Sequence, residues 1–278
     1  MTDSSRRQFI KQTSLWAAAH TFLAGASTHA QAQNSDSAKL APQTRFAKLQ
    51  LKANRLDEMR RFYHKTLGCP LVDDCADSLA LQFGETTIEF AETEQELSRV
   101  VYHFAFNIPE NKLSAAIEWM RGKAPLIDHL ATGSHIVHFE WLNAHSIYFW
   151  DPSGNLVEFI AHHRLDNASR GDFGPDDLLC ASEIGLVVPD VGATNQELKD
   201  LLKIDCYGVN DAAVGEQRCK NAQFRAVGDP NGFFIVVRNQ RTWLMTDIKA
   251  EENPPVHVVT NDDLAEPVTL KTANAVIS

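Results

Sequence analysis

The strongest constraint on this chain is an internal repeat, marked by a turn that occurs twice with the same kind of strand behind it. Asp151-Pro152-Ser153-Gly154 leads into Asn155-Leu156-Val157-Glu158-Phe159, and Asp229-Pro230-Asn231-Gly232 leads into Phe233-Phe234-Ile235-Val236-Val237. Thr86-Thr87-Ile88-Glu89-Phe90 fits the same strand frame. Aspartate, proline and glycine at these offsets form turns, so the two full matches mark hairpins. A supersecondary unit that recurs along a chain restricts the fold to an array of that unit.

Each copy opens with a strand of period two and continues into an amphipathic helix. In the first, Leu49, Leu51 and Ala53 alternate with Lys48, Gln50 and Lys52. A helix is predicted from Leu56 to Leu67, stopped by Gly68, followed by strands Ser78–Phe83 and Thr86–Ala91. In the second, Tyr102, Phe104, Phe106 and Ile108 alternate with His103, Ala105 and Asn107. A helix over Lys112–Arg121 and strands His135–Trp141, Ser146–Trp150 and Asn155–His162 come next. In the third, Ile184, Leu186 and Val188 form the strand face, a helix spans Asn195–Leu202, and Phe233–Val237 closes the unit. The tail from Glu251 offers one strand, Val256–Val259.

The predicted class is therefore α+β, with repeated βαβββ units. Residues 45–165 hold two paired units (45–95 and 100–163), and 180–260 hold a third, degenerate unit and the C-terminal tail.

The first 32 residues read as an export segment. Ser5-Arg6-Arg7-Gln8-Phe9-Ile10-Lys11 matches the twin-arginine pattern, Leu15 to Ala26 is modestly apolar, and Ala30-Gln31-Ala32 offers an A-x-A cleavage site. The apolar stretch is too short and too polar to span a membrane. Residues 33–44 read as a linker, and the expected location is periplasmic or secreted. Removal of 1–32 takes away three cations (Arg6, Arg7, Lys11) and one anion (Asp3), which moves the formal charge from -10 to -12. So acidic a protein is a poor partner for nucleic acid or an anionic membrane surface. Cys69, Cys75, Cys180, Cys206 and Cys219 include no CxxC pair, so free thiols are expected, and spacing alone does not establish a Cys69–Cys75 bridge.

The second unit resembles the vicinal-oxygen-chelate superfamily of glyoxalase I, extradiol dioxygenases, and fosfomycin- and bleomycin-resistance proteins. The resemblance is carried by Tyr102-His103-Phe104-Ala105-Phe106-Asn107-Ile108 and by Ile147 through Phe159, with support from Met59 to Gly68 in the first unit. It implies sheets that curl into a cup, with metal ligands projecting from the first and last strand of each unit. It also implies a small-molecule ligand, and units paired within one chain or across a homodimer.

The residues support that frame in the second unit. His103, Ala105 and Asn107 share the face opposite the apolar stripe, so they line the concave side. Glu158 interrupts an apolar run, where an unpaired carboxylate is costly and needs a partner. A divalent metal (Zn, Mn, Ni or Fe(II)) shared by His103 and Glu158 supplies one. By the frame, Glu89 is the first unit's counterpart of Glu158, and Lys48 stands in place of His103. The expected ligands are then His103, Glu158 and Glu89, with Lys48 and Asn107 facing the substrate. Two alternatives stay open: Lys48 pairs with Glu89 or Glu158 and no metal binds, or His103 is a hydrogen-bonded structural histidine. In the third unit the corresponding positions are Glu183 and Val236, which implies a structural role. His145 is the candidate general acid/base or third ligand. His162, about 13 Å from Glu158 by strand rise, reads as a rim residue.

The functional expectation is a metal-dependent lyase, isomerase or ring-cleaving dioxygenase acting on a small oxygen-rich molecule. Competing readings are a sequestration protein of the bleomycin-resistance type and a purely structural module.

Overall fold

The computed structural model describes residues 44–94, 102–207, 222–261 and 266–278. The predicted export segment 1–32, the linker up to residue 43 and Cys219 lie outside them. All described residues fall within Leu40–Ser278.

Two seven-stranded mixed sheets carry the fold. The first unit supplies β1 (Phe46–Ala53), β2 (Leu71–Asp74), β3 (Ser78–Phe83) and β4 (Thr86–Glu92). The second supplies β5 (His103–Asn107), β6 (Val137–Phe139), β7 (Ala144–Trp150) and β8 (Leu156–His162). The third supplies β9 (Cys180–Val188), β10 (Phe224–Asp229) and β11 (Gly232–Arg238), and the tail adds β12 (Val256–Thr260), β13 (Val268–Thr269) and β14 (Ala275–Ile277). The α+β class of repeated βαβββ units is thus the one observed. Within each unit the first strand lies parallel to the last: β1 to β4, β5 to β8, and β9 to β11.

The partnership of the units differs from expectation. Units one and two do not share a sheet. β5 pairs antiparallel with β9, which joins units two and three in the order β10-β11-β9-β5-β8-β7-β6. β1 pairs antiparallel with β12, so the first unit is completed by the tail. The physical reason is visible in burial. All five residues of β5 and all nine of β9 are buried, as expected of strands covered on both faces. In β1 burial alternates, with Leu49 and Leu51 inward and Lys48, Gln50 and Lys52 outward, so that sheet keeps a polar outer face.

Units one and two meet across the core instead. Phe83 stacks on Phe106 with ring centroids 4.5 Å apart, and Phe90 approaches Phe104. The same core takes in the helices α1 (Leu56–Arg60), α2 (Leu113–Met120) and α3 (Val191–Leu202) through Met59, Met120 and Leu198. The helix predicted over Leu56–Leu67 continues past α1 as a wide π-turn, Arg61–Thr66, which directs Tyr63 into the core. α3 begins before the predicted Asn195 because Asp190 caps it, accepting from the backbone N–H groups of Gly192 and Ala193. Among the described cysteines, Cys69, Cys75 and Cys180 are free thiols, and the Cys206 thiol donates to Asn195 Oδ1 at 2.8 Å.

Candidate metal centre

One face of the sheet that contains β5, β8 and β9 gathers three donor side chains. β5 places His103 there, β8 places Glu158, and β9 contributes Glu183, the register partner of Ala105. One ligand atom from each of His103, Glu158 and Glu183 lies within 4.8 Å of the others, and all three residues are buried. Among the described residues this is the only such group.

His103 is oriented by its backbone neighbour. Its Nδ1 lies 3.0 Å from the Leu156 carbonyl, which can only accept, so Nδ1 carries the proton. Nε2 therefore presents a lone pair, 3.6 Å from Glu158 Oε2 and 3.5 Å from Glu183 Oε2. Fixing one ring nitrogen so that the other is free is the arrangement a metal-binding imidazole needs. Burial holds His103 below its ordinary pKa, against the opposing charge of Glu158. Burial pushes Glu158 and Glu183 up to about 8, and the neighbouring charge of Glu183 adds to the rise at Glu158. Two such carboxyls retain their protons near neutral pH unless a cation replaces them. Glu158 Oε1 is buried with no hydrogen-bond partner, which is a second sign that this donor set fits a cation.

The cup is closed by the chain itself. Residues Arg241–Ala250 fold back as a hairpin flap, with Trp243 N–H donating to Ile248 O and Ala250 N–H donating to Arg241 O. Trp243 and Met245 pack into the apolar cluster on this face, alongside Tyr148 and Leu156, and the Trp243 ring lies 5.5 Å from His103. Gly185 makes this approach feasible, since a Cβ there would stand 3.1 Å from Trp243 Cη2.

The sequence-predicted residues divide between the two sheets. His103 and Glu158 come together. Glu89 and Lys48 form an ion pair with each other on the outer face of the other sheet, where Gln50 also donates to Glu89, so the structure does not bring them to His103. In register, Gln50 faces Glu89 as Ala105 faces Glu158. His145 pairs with Ala161, on the face opposite Glu158, where it stacks on His138 and its Nδ1 lies 2.7 Å from His163 Nε2. Asn107 shares the face of His103 and Ala105 on β5, and its Nδ2 donates to Pro230 O. In the third unit the counterpart of Glu158 is Ile235, the partner of Gly185, whereas Val236 packs into the core. Sequence reasoning places Glu183 at a ligand position of the third unit but gives it a structural role, because Val236 is taken for the second position. Glu183 interrupts an apolar strand as Glu158 does, and that same test marks it as a donor.

No protein-family model matches the sequence, and no curated protein sequence matches it. Solved structures do match. A protein from Bacillus subtilis subsp. subtilis str. 168, provisionally named a dioxygenase, superposes with a TM-score of 0.52 at 15% identity, over 80% of this chain and 71% of that one. Glyoxalase I from Zea mays matches with a TM-score of 0.45 at 16% identity, over 79% and 75% of the two chains. A lactoylglutathione lyase from Agrobacterium tumefaciens gives 0.34 at 17% identity, over 41% of this chain and 90% of that one. At such identities the likeness is one of fold alone.

Proposed function

We propose that the protein is a metal-dependent enzyme of the vicinal-oxygen-chelate type, a lyase or isomerase acting on a small oxygen-rich molecule, with His103, Glu158 and Glu183 holding a divalent cation. The observation that carries this reading is the convergence of one free imidazole nitrogen and two carboxylates, among them an orphaned oxygen, in a water-excluded cup. Such a cation, when bound, polarises an oxygen of the substrate. One histidine with two carboxylates inverts the two-histidine, one-carboxylate set associated with iron oxygenases, so the ring-cleaving reading is the weaker one.

The chain's own residues have definite tasks in this reading. The Leu156 carbonyl holds His103 in its ligating tautomer. Ile235, standing where a fourth donor would be, leaves one side of the cluster open to substrate. Tyr148, beside Glu158 and buried, orients that carboxyl. The flap excludes water when closed, which strengthens every charge interaction beneath it. The same enclosure also suits capture of a small molecule without chemistry, and turnover of bound ligand separates the two.

Elemental analysis of the purified protein, beside a folded His103→Ala/Glu158→Ala variant, tests the metal reading. Near-stoichiometric metal in the first and none in the second is the expected result. No metal in either, even after loading with Zn, Mn, Ni and Fe(II), overturns it. Export by the twin-arginine route is part of the same proposal. It rests on residues 1–32 and is tested by the intact mass of the protein in a periplasmic fraction.

A further inference from the structure

Four polar residues surround Ile160 on the floor of the cup, and each carries a buried atom without a hydrogen-bond partner. Ser146 on β7 and Asn107 on β5 are the two register partners of Ile160. Glu158 and His162 flank it on its own strand and share its face. Ser146 is 0% exposed, and Asn107, Glu158 and His162 are each 1% exposed. The orphaned atoms are Ser146 Oγ, Asn107 Oδ1, Glu158 Oε1 and both ring nitrogens of His162; Ser146 comes near Glu158 and His162 near the Leu142 backbone, but neither approach has hydrogen-bond geometry. Trp243 Nε1, in the flap over the same face, is another.

Buried polar atoms without partners are rare in folded proteins and destabilise them. Their concentration around one residue marks a place where something else supplies the partners. The atoms also have a definite chemistry. The Ser146 hydroxyl donates, and Asn107 Oδ1 accepts. Burial pushes His162 down to about 4, so its ring is neutral and offers one donor and one acceptor. A hydroxyl group, which both gives and takes a hydrogen bond, is the complement of such a floor. Ile160, Leu142 and Phe233 make the surroundings apolar, which disfavours a charged ligand.

We propose that this floor is a binding site for a neutral, hydroxyl-bearing small molecule with an apolar body, admitted when the Arg241–Ala250 flap withdraws Trp243. The site shares the cup with the His103 cluster, yet Ser146, Asn107 and His162 stand outside that cluster, so binding there does not require a metal. It names the kind of molecule that the proposed enzyme takes and can fail independently of the metal reading.

The test uses the full-length protein held metal-free with a chelator, and trans-1,2-cyclohexanediol as the probe. The imidazole NMR signals of His162, assigned by their loss in His162→Phe, are followed during titration. The same titration is run on Trp243→Ala, in which the cup no longer depends on flap movement. The expected result is a saturable shift of the His162 signals in one or both proteins. Ser146→Ala or Asn107→Ala should weaken it about tenfold, the scale of one hydrogen bond. Benzene, which fills space without hydrogen bonding, should bind equally with or without those substitutions. No saturable shift in either the native or the Trp243→Ala protein overturns the proposal, as does diol binding that neither substitution weakens.

Discussion

His103 and Glu183 belong to different repeats, and their side chains meet across the antiparallel seam between β5 and β9, Nε2 to Oε2 at 3.5 Å. The donor cluster therefore depends on the pairing of units two and three and takes nothing from unit one. The seam contains a bulge between Ala105 and Phe106, where the register shifts from Glu183 to Ala181. A bulge re-aims the side chain beside it.

That arrangement separates two glutamates that the repeat makes equivalent. Glu89→Gln should leave metal content unchanged, because Glu89 is engaged with Lys48 in the other sheet. Glu183→Gln should weaken metal retention by more than about a hundredfold, since loss of partners that merely orient the ligands already lowers affinity about 10–100-fold. Competition with a chromophoric chelator measures both. Loss of metal in Glu89→Gln alone would return the site to the first unit.

Stability against pH follows from the same carboxyls. Burial raises Glu158 and Glu183 from the ordinary value of 4.5 to about 8 in the folded protein. Their stabilisation is full below the unfolded value and is lost as pH rises through the folded one. His103 and His162 act oppositely, but only below their ordinary value of 6.5. Between pH 6.5 and 8, then, the metal-free protein should lose thermal stability steadily. Glu158→Gln should flatten that slope, and a bound divalent cation should abolish it, because both carboxyls are then ionised in the folded and the unfolded state alike. Thermal melts across this window check the sign. A rising Tm in the metal-free protein would contradict it.

The legibility of this fold follows the kind of signal each residue carries. The repeat, its turns and the placement of His103 and Glu158 are local patterns, and strand alternation shows them directly. Which unit pairs with which is a long-range choice that no local pattern encodes. One clue was present: β8 runs Leu-Val-Glu-Phe-Ile-Ala-His with burial throughout, whereas β1 alternates lysine and leucine. That contrast distinguishes a sheet covered on both faces from one with a wet face. The tail strands β13 and β14 are short and have little apolar periodicity of their own, so their place follows from the free edge left by β12. The flap is equally silent in sequence, because its role comes from Gly185 on a strand far from Trp243.

Tyr63 and Asp151 tie units one and two together beneath the core. The Tyr63 hydroxyl donates to Asp151 Oδ2 at 2.9 Å, and Asp151 also accepts from Ser153 and Asn155, which fixes the turn before β8. Burial raises Asp151 to about 6 despite these bonds. Tyr63→Phe removes one of the bonds that favour its charged form. It should destabilise the protein by about 1.5–3 kcal/mol, the range for a hydrogen bond to a charged group. The loss should be larger at pH 8 than at pH 5, since only at the higher pH is Asp151 ionised. Urea denaturation at the two values decides. An equal loss at both would mean that the hydroxyl serves packing alone.

Gly185 lies beneath Trp243 of the flap, with no room for a side chain between them. A Cβ at position 185 would stand 3.1 Å from Trp243 Cη2 and 3.3 Å from His103 Cβ and the His103 carbonyl oxygen. Gly185→Ala should therefore crowd the closed flap and destabilise the protein by about 1–3 kcal/mol, as overpacking does. If the indole is what the methyl displaces, Trp243→Ala should absorb most of that loss. The Gly185→Ala/Trp243→Ala double variant would then show a coupling of about 0.5–3 kcal/mol relative to the two single variants. Denaturant titrations of the four proteins in the cycle measure it. Additive losses would place the strain on the His103 side of the glycine instead, and would mean that the flap closes without relying on the missing side chain.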